Sequence, residues 1–105
     1  MILKVIWSEF AETQLDEIYT YYEKKANSKT AKRLVTGIIK KSKKLLKTPF
    51  LGQEEELLKH RKIEYRYLIF KNYKLIYSVD VENSFIKIAD VFDTRQNPLK
   101  IERDK

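Results

Sequence analysis

Three runs of apolar residues, separated by short polar breaks, dominate the second half of the chain. They cover residues 65–70, 73–79 and 85–92, and each is rich in Tyr, Phe, Ile and Val. Aromatic and β-branched residues favour strands, and short polar breaks join antiparallel neighbours. The pattern therefore predicts an antiparallel meander of three strands. Because a strand alternates its side chains between two faces, one face would pack on helices and the other would carry cations and tyrosines toward a partner.

The first half of the chain predicts one short strand and two helices. Residues 2–7 alternate weakly in hydrophobicity and predict a strand that joins the meander. Ser8 is a candidate N-cap of the first helix. Apolar residues then recur at the spacing of one helix face, at Ala11, Leu15, Ile18 and Tyr22. Asn27 and Ser28 end this helix and cap a second one over residues 29–47, which stops before Pro49.

The predicted order is β-α-α-β-β-β, an α+β fold in which a helical hairpin packs on one side of a mainly antiparallel four-stranded sheet. At 105 residues the chain has room for one core, so residues 1–105 are expected to form a single domain. Residues 97–105 are charged and are expected to be a loosely ordered tail, although Leu99 and Ile101 could still pack.

The charge of the chain points to an acidic partner. Its formal net charge is +7 and its pI is near 9.5, which favours DNA, RNA or an acidic protein segment over a neutral metabolite. Much of the excess lies on the second helix, at Lys32, Arg33, Lys40, Lys41, Lys43, Lys44 and Lys47. This run is either a solvated face or a surface that contacts phosphates. Since the first helix is acidic, the outer edges of the two helices are expected to form ion pairs.

Several kinds of site are excluded or lack a signal. The chain has no cysteine and one histidine, so it offers neither a disulfide nor a cysteine or histidine metal site, and no cofactor is expected. No apolar run approaches the length of a membrane span, and the N-terminus turns polar too soon for a signal peptide. A cytoplasmic protein without a membrane partner is therefore expected. The remaining acids, cations and tyrosines would suit metal-independent RNA cleavage by the substrate's own 2′-hydroxyl group.

The chain resembles the RelE/ParE toxin superfamily over about residues 5–98. The resemblance rests on the element order and on four segments: PFLG at 49–52, RYL at 66–68, YKLIY at 73–77 and VFDTRQNP at 91–98. It implies a RelE-like fold and the toxin of a bacterial type II toxin–antitoxin pair, held inactive by a cognate antitoxin. An acidic or amphipathic antitoxin segment laid over the helical hairpin and the basic sheet face would neutralise the positive charge.

The resemblance implies two different activities. RelE- and YoeB-like toxins cleave messenger RNA on the ribosome, whereas ParE-like toxins poison DNA gyrase and are not known to catalyse a reaction. The sequence is interpreted as a ribosome-dependent endoribonuclease, with the gyrase poison as the alternative. A noncatalytic nucleic-acid-binding module is a third possibility, since basic strands with aromatic side chains can bind and stack on nucleic acids.

The resemblance also implies candidate catalytic residues. Glu56 lies in a segment similar to the one that holds the general base of YoeB-like toxins. Lys74 falls where the nucleases place an arginine against the scissile phosphate. Arg66 and Arg95 fall at basic positions of both branches. The tail lacks the late histidine or tyrosine of the nucleases. The tyrosines that could replace that residue are Tyr65, Tyr67, Tyr73 and Tyr77.

Overall fold

The computed structural model describes residues 2–103, in which two helices pack on one face of a mixed β-sheet. The strands are β1 (Lys4–Trp7), β2 (Gln53–Glu54), β3 (Arg66–Phe70), β4 (Tyr73–Asp80) and β5 (Phe85–Asp93). The helices are α1 (Glu9–Lys25) and α2 (Ser28–Lys43). Short 3-10 turns cover Lys44–Leu46, Glu56–Leu58 and Pro98–Glu102.

The first helix begins where the sequence predicts and the second begins one residue earlier, at Ser28, and a side chain caps each of them. The Ser8 hydroxyl accepts the backbone N–H of Ala11 at 3.0 Å, and the Asn27 side-chain oxygen accepts that of Thr30 at 2.8 Å. Each contact satisfies a backbone donor that has no partner within its own helix. The second helix ends earlier than predicted, since α2 stops at Lys43 and its last turn tightens into the 3-10 turn before Pro49.

The sheet has five strands in the order β1-β5-β4-β3-β2, so the predicted count of four is wrong. The extra strand is β2, which pairs only Gln53 with Tyr67 and Glu54 with Arg66. Two polar residues carry no alternating apolar pattern, which is why this strand gave no sequence signal. The predicted meander is confirmed in β3, β4 and β5, and the α+β fold is confirmed. The first strand joins it in parallel, with Lys4 opposite Phe85.

The two faces of the sheet pack against different parts of the chain. On one face, Leu75, Tyr77 and Ile88 pack with the buried residues of the helices, such as Ile38. The alternation suggested that the opposite face is open to a partner, but this face is only partly open. Part of it is covered by a second buried cluster that joins strand residues to the two later 3-10 turns: Leu58, Tyr65, Ile76, Ala89, Phe92 and Ile101.

The end of the described chain differs from the loosely ordered tail expected from residue 97. Pro98–Glu102 is a 3-10 turn, and Ile101 is 1% exposed within the second cluster. The Arg103 guanidinium makes two hydrogen bonds to the fully buried carboxylate of Asp90, at 2.8 and 3.0 Å. It also lies about 5 Å from the ring centres of Phe10 and Phe92. Residues 104 and 105 of the predicted tail lie outside the described residues.

Candidate functional site

Lys74 lies at the centre of a small charged cluster on the sheet face opposite the helices. Its neighbours in β4, Tyr73 and Leu75, point into the helix-side core, so alternation turns Lys74 to the other face. There its Nζ atom is 2.6 Å from Oε1 of Glu55 and 4.3 Å from the ring centre of Tyr67. The Lys74 side chain is 22% exposed and that of Glu55 is 3% exposed. The cluster is therefore a largely desolvated ion pair beneath an aromatic ring.

Glu55 is fixed by the backbone around it. Its second carboxylate oxygen accepts the N–H of Leu57 at 3.3 Å and so caps the Glu56–Leu58 turn. Its own backbone N–H donates to the carbonyl of Tyr65 at 2.8 Å. The connector between α2 and β3 is thus tied to the sheet at this residue. Glu55 is a residue of this cluster that the sequence pattern did not predict.

Glu56, the predicted general base, points away from this cluster. Its side chain is 72% exposed and its carboxylate lies 3.1 Å from Nζ of Lys59. In the acidic triplet Glu54-Glu55-Glu56 only the middle residue is buried. No sequence signal marks Glu55, because the burial of Gly52, Glu55 and Leu58 at every third position is a property of the folded connector.

Arg66 lies on the other face of the sheet from Lys74. It is paired with Tyr77, whose side chain lies in the helix-side core, three positions along β4 from Lys74. At about 3.3 Å per residue this separates the two positions by ~10 Å along the strand, in addition to the opposite faces. The two candidate phosphate ligands therefore do not converge on one point.

The guanidinium of Arg66 is already engaged within the protein. Nη1 donates to the carbonyl of Gly52 at 2.8 Å, and Nη2 lies 2.7 Å from a carboxylate oxygen of Glu64. The ring of Phe50 lies 5.2 Å from the guanidinium carbon. Nε is buried and has no hydrogen-bond acceptor among residues 2–103. Arg66 thus ties the connector to the edge of β3.

Arg95 belongs to a third place, where the end of β5 meets α1. Its Nη2 and Nε atoms lie 2.8 and 3.0 Å from the two carboxylate oxygens of Asp93. Hydrogen bonding to Arg95 lowers the pKa of Asp93 to about 2, and the carboxylate raises the pKa of Arg95 above its ordinary value. Together with Glu17 and Tyr21 of α1, this pair lines an open cavity of about 300 Å³.

The tyrosines differ in their access to the cluster. Tyr73 and Tyr77 are buried in the helix-side core, and burial raises the pKa of each hydroxyl above its ordinary value. Tyr77 holds the connector, since its hydroxyl accepts the Gly52 N–H at 2.8 Å and donates to the Pro49 carbonyl at 2.9 Å. Tyr65 is buried in the second cluster. Of the four, Tyr67 lies over Lys74.

Neither a metal centre nor a membrane span is found in the part of the chain that the structure describes. Residues 2–103 contain no group of three or more His, Asp or Glu side chains arranged to hold a metal ion. His60, the one histidine, lies 2.7 Å from a carboxylate oxygen of Glu102 at the surface. None of the described helices has the length and apolarity needed to cross a bilayer.

Comparisons with known proteins give one family match and similar folds among solved structures. The family described as "ParE toxin of type II toxin-antitoxin system, parDE" matches residues 5–98. The solved "Chromosomal ParDE TA system from P. aeruginosa" is similar in fold, with a TM-score of 0.72, 19% identity and coverage of 88% of this chain and 96% of that chain. The YoeB dimer from Staphylococcus aureus is also similar, with a TM-score of 0.52, 25% identity and coverage of 87% and 95%. A search of the curated proteins gives no match.

The resemblance to the RelE/ParE superfamily is confirmed by these matches, and with it an antitoxin as a partner. The family match extends from within β1 to the start of the last 3-10 turn, and so includes every helix and all four positions of the predicted site. The chain belongs to the ParE toxin family of type II toxin–antitoxin systems.

Proposed function

We propose that this toxin arrests growth by binding and poisoning DNA gyrase, and that it does not cleave RNA. The family match supports this branch of the superfamily, since the resemblance implies gyrase as the target of ParE-like toxins. The observation that carries the proposal is the dispersal of the four candidate catalytic residues. Arg66, Lys74 and Arg95 occupy three separate places, and Glu56 faces solvent.

Each candidate cation also has a carboxylate partner inside the protein. Lys74 is bound by Glu55 at 2.6 Å, Arg66 by Glu64 at 2.7 Å and Arg95 by Asp93 at 2.8 Å. A scissile phosphate would have to displace these carboxylates, and one of them is almost fully buried. Cleavage needs a base, phosphate-stabilising cations and an acid aimed at one phosphate. A toxin that acts through its surface needs no such convergence.

The proposal is tested by inducing the chain in bacteria that lack the antitoxin and pulse-labelling DNA and protein synthesis. We expect DNA synthesis to stop first, with broken chromosomes, while translation continues. Purified chain should also inhibit supercoiling by purified gyrase. A rapid loss of methionine incorporation with intact DNA would overturn the proposal.

A pair of matched variants separates the two mechanisms. Glu54→Gln and Glu56→Gln change neighbouring exposed carboxylates that both contact Lys59. If Glu56 were a general base, only Glu56→Gln would abolish growth arrest. If the toxin binds gyrase through its surface, neither variant should lose activity, because neither side chain supports the fold.

Ribosome-dependent messenger RNA cleavage is the second candidate, and the Lys74 cluster favours it. The YoeB dimer is similar in fold to 87% of this chain. Lys74 with Tyr67 also forms a basic and aromatic spot that RNA could contact. In that mechanism Lys74 would bind the phosphate, with Arg66 and Arg95 as further cations. Glu55 would replace Glu56 as the nearest carboxylate. Toeprinting of a translated message with Lys74→Arg and Lys74→Gln toxin would detect it.

A further inference from the structure

Away from these residues, a basic groove runs between α2 and the turn that joins β3 to β4. It has a volume of about 510 Å³ and a narrower groove of about 180 Å³ adjoins it, sharing Arg33 and Lys71. Its charged lining consists of Lys29, Lys32, Arg33, Lys40 and Lys71. Neither groove has an acidic residue in its lining. We call this surface the α2 groove.

The five cations of the α2 groove are not neutralised within the described chain. The ion pairs found in residues 2–103 involve no residue of α1 or α2. The expected pairing of the acidic first helix with the basic second helix is therefore wrong. The physical reason is that the two helices pack through their apolar stripes and expose their charges to solvent. The cations of the groove repel one another, and an anionic partner would relieve that repulsion.

The backbone conformation at the rim of the groove also supports an anionic partner. Lys71 adopts φ = 54°, in the left-handed region that lysine rarely enters. Its Nζ atom lies 5.8 Å from the ring centre of Phe70, which also lines the groove. That ring lies against Gly37 of α2, where a Cβ atom would be 2.5 Å from it. The turn thus adds a cation to an already basic groove at a cost in backbone strain.

We propose that the α2 groove binds the phosphate backbone of duplex DNA. Lys29 and Lys40 lie eleven residues apart in one helix, so the charged face extends ~16 Å along the helix axis. Four of the five cations are lysines, which suit phosphates as point charges and do not read bases bidentately.

Other acidic partners fit the groove less well. Single-stranded nucleic acid is held by stacking on exposed aromatic rings, whereas Phe70 packs into the core and Tyr22 is half-buried. Protein interfaces are depleted of lysine at their centre, and here lysines line the groove throughout. The proposal does not rest on gyrase as the target, because DNA binding is a property of the purified chain.

The test is fluorescence anisotropy with a labelled DNA duplex of about 20 base pairs, at salt concentrations between 50 and 200 mM. Five phosphate contacts predict a slope of log affinity against log salt of about −4.5. Lys32→Gln/Lys40→Gln should make this slope shallower by about 2. It should also weaken DNA binding about 60-fold at 0.1 M salt, since each lost phosphate contact lowers the affinity about 8-fold at that concentration. Circular dichroism should show that both helices remain.

A charge-matched control keeps the result specific to the groove. Lys62→Gln/Lys100→Gln removes the same charge from exposed positions outside the α2 groove and should leave the affinity within about 3-fold of the unmodified chain. Equal losses in the two double variants would mean that net charge alone drives binding and would overturn the proposal. So would the absence of binding at 50 mM salt, tighter binding to an RNA duplex, or equal competition by poly-glutamate at the same charge concentration.

Discussion

Replacing Lys74 with methionine should destabilise the fold through the carboxylate that it leaves behind. Glu55 is 3% exposed, and Lys74→Met removes the ammonium that lies 2.6 Å from its carboxylate. Removing one partner of a buried ion pair typically costs about 3–5 kcal/mol. Lys74 is itself 22% exposed, so water reaches part of the pair and a cost at or just below the lower end of this range, about 2–3 kcal/mol, is expected. Loss of the contact with the Tyr67 ring contributes to this figure.

For a domain of this size, that loss corresponds to a fall in melting temperature of roughly 10–15 °C. Thermal unfolding followed by circular dichroism, together with urea titration, measures it. Lys87→Met is the matched control, because Lys87 lies 3.4 Å from Asp80 with 48% of its side chain exposed. Surface pairs of that kind contribute at most about 1 kcal/mol. If Lys74→Met and Lys87→Met were equally mild, the Glu55–Lys74 pair would not be desolvated.

The double variant Glu55→Leu/Lys74→Met tests the cause. Replacing both members of a buried pair with apolar residues of similar volume is often neutral, so much of the lost stability should return. If the double variant were as unstable as Lys74→Met, an orphaned carboxylate would not be the explanation. In toxicity assays, the same variants distinguish a loss of stability from a loss of function. Growth arrest that is lost in Lys74→Met and returns in the double variant reports stability, whereas arrest lost in both reports a role of the lysine charge.

Three further predictions concern the connector and the β5 end. Tyr77→Phe should cost about 2 kcal/mol in urea unfolding, because a buried Gly52 N–H and the Pro49 carbonyl lose their hydroxyl partner; an unchanged midpoint would contradict this. Gly52→Ala should cost at least as much, since its Cβ would lie 2.6 Å from a backbone oxygen of β3. Asp93→Asn should lower the melting temperature at pH 7 by removing the Arg95 contact. Folded Asp93 has a pKa of about 2, below the ordinary value, so its contribution is complete above about pH 4 and disappears as pH falls toward 2. The melting curves of the two proteins should therefore converge near pH 2, and a gap that persists there would refute the assignment.

The sequence was sufficient where local interactions decide the structure. Ser8 and Asn27 cap the helices through bonds to backbone groups three residues away, and such contacts are independent of the rest of the fold. The strands of the meander follow from runs of aromatic and branched residues. These signals determine where elements begin and which type they are.

The candidate site was harder to predict because it depends on register and on the path of a loop. Whether Arg66 and Lys74 share a face is decided by the pairing of Arg66 with Tyr77, and a shift of one residue would reverse it. Which glutamate of the triplet is buried depends on how the connector lies over the sheet. Composition alone does not distinguish the three glutamates. The burial of Ile101 could not be predicted either, because it depends on the second apolar cluster, whose residues are far apart in the sequence.

The parallel pairing of β1 with β5 has a consequence for how the toxin is made. Among residues 2–103, Lys4–Trp7 has a hydrogen-bonded partner strand only in Phe85–Ile88, about eighty residues later in the chain. Closing such a long loop is slow and entropically costly, and it must wait until β5 has been synthesised. The nascent chain can form its helical hairpin early, but the sheet that supports the hairpin is completed last. While β5 is being synthesised and paired, the toxin is not yet fully folded. The antitoxin can therefore meet the toxin during this interval.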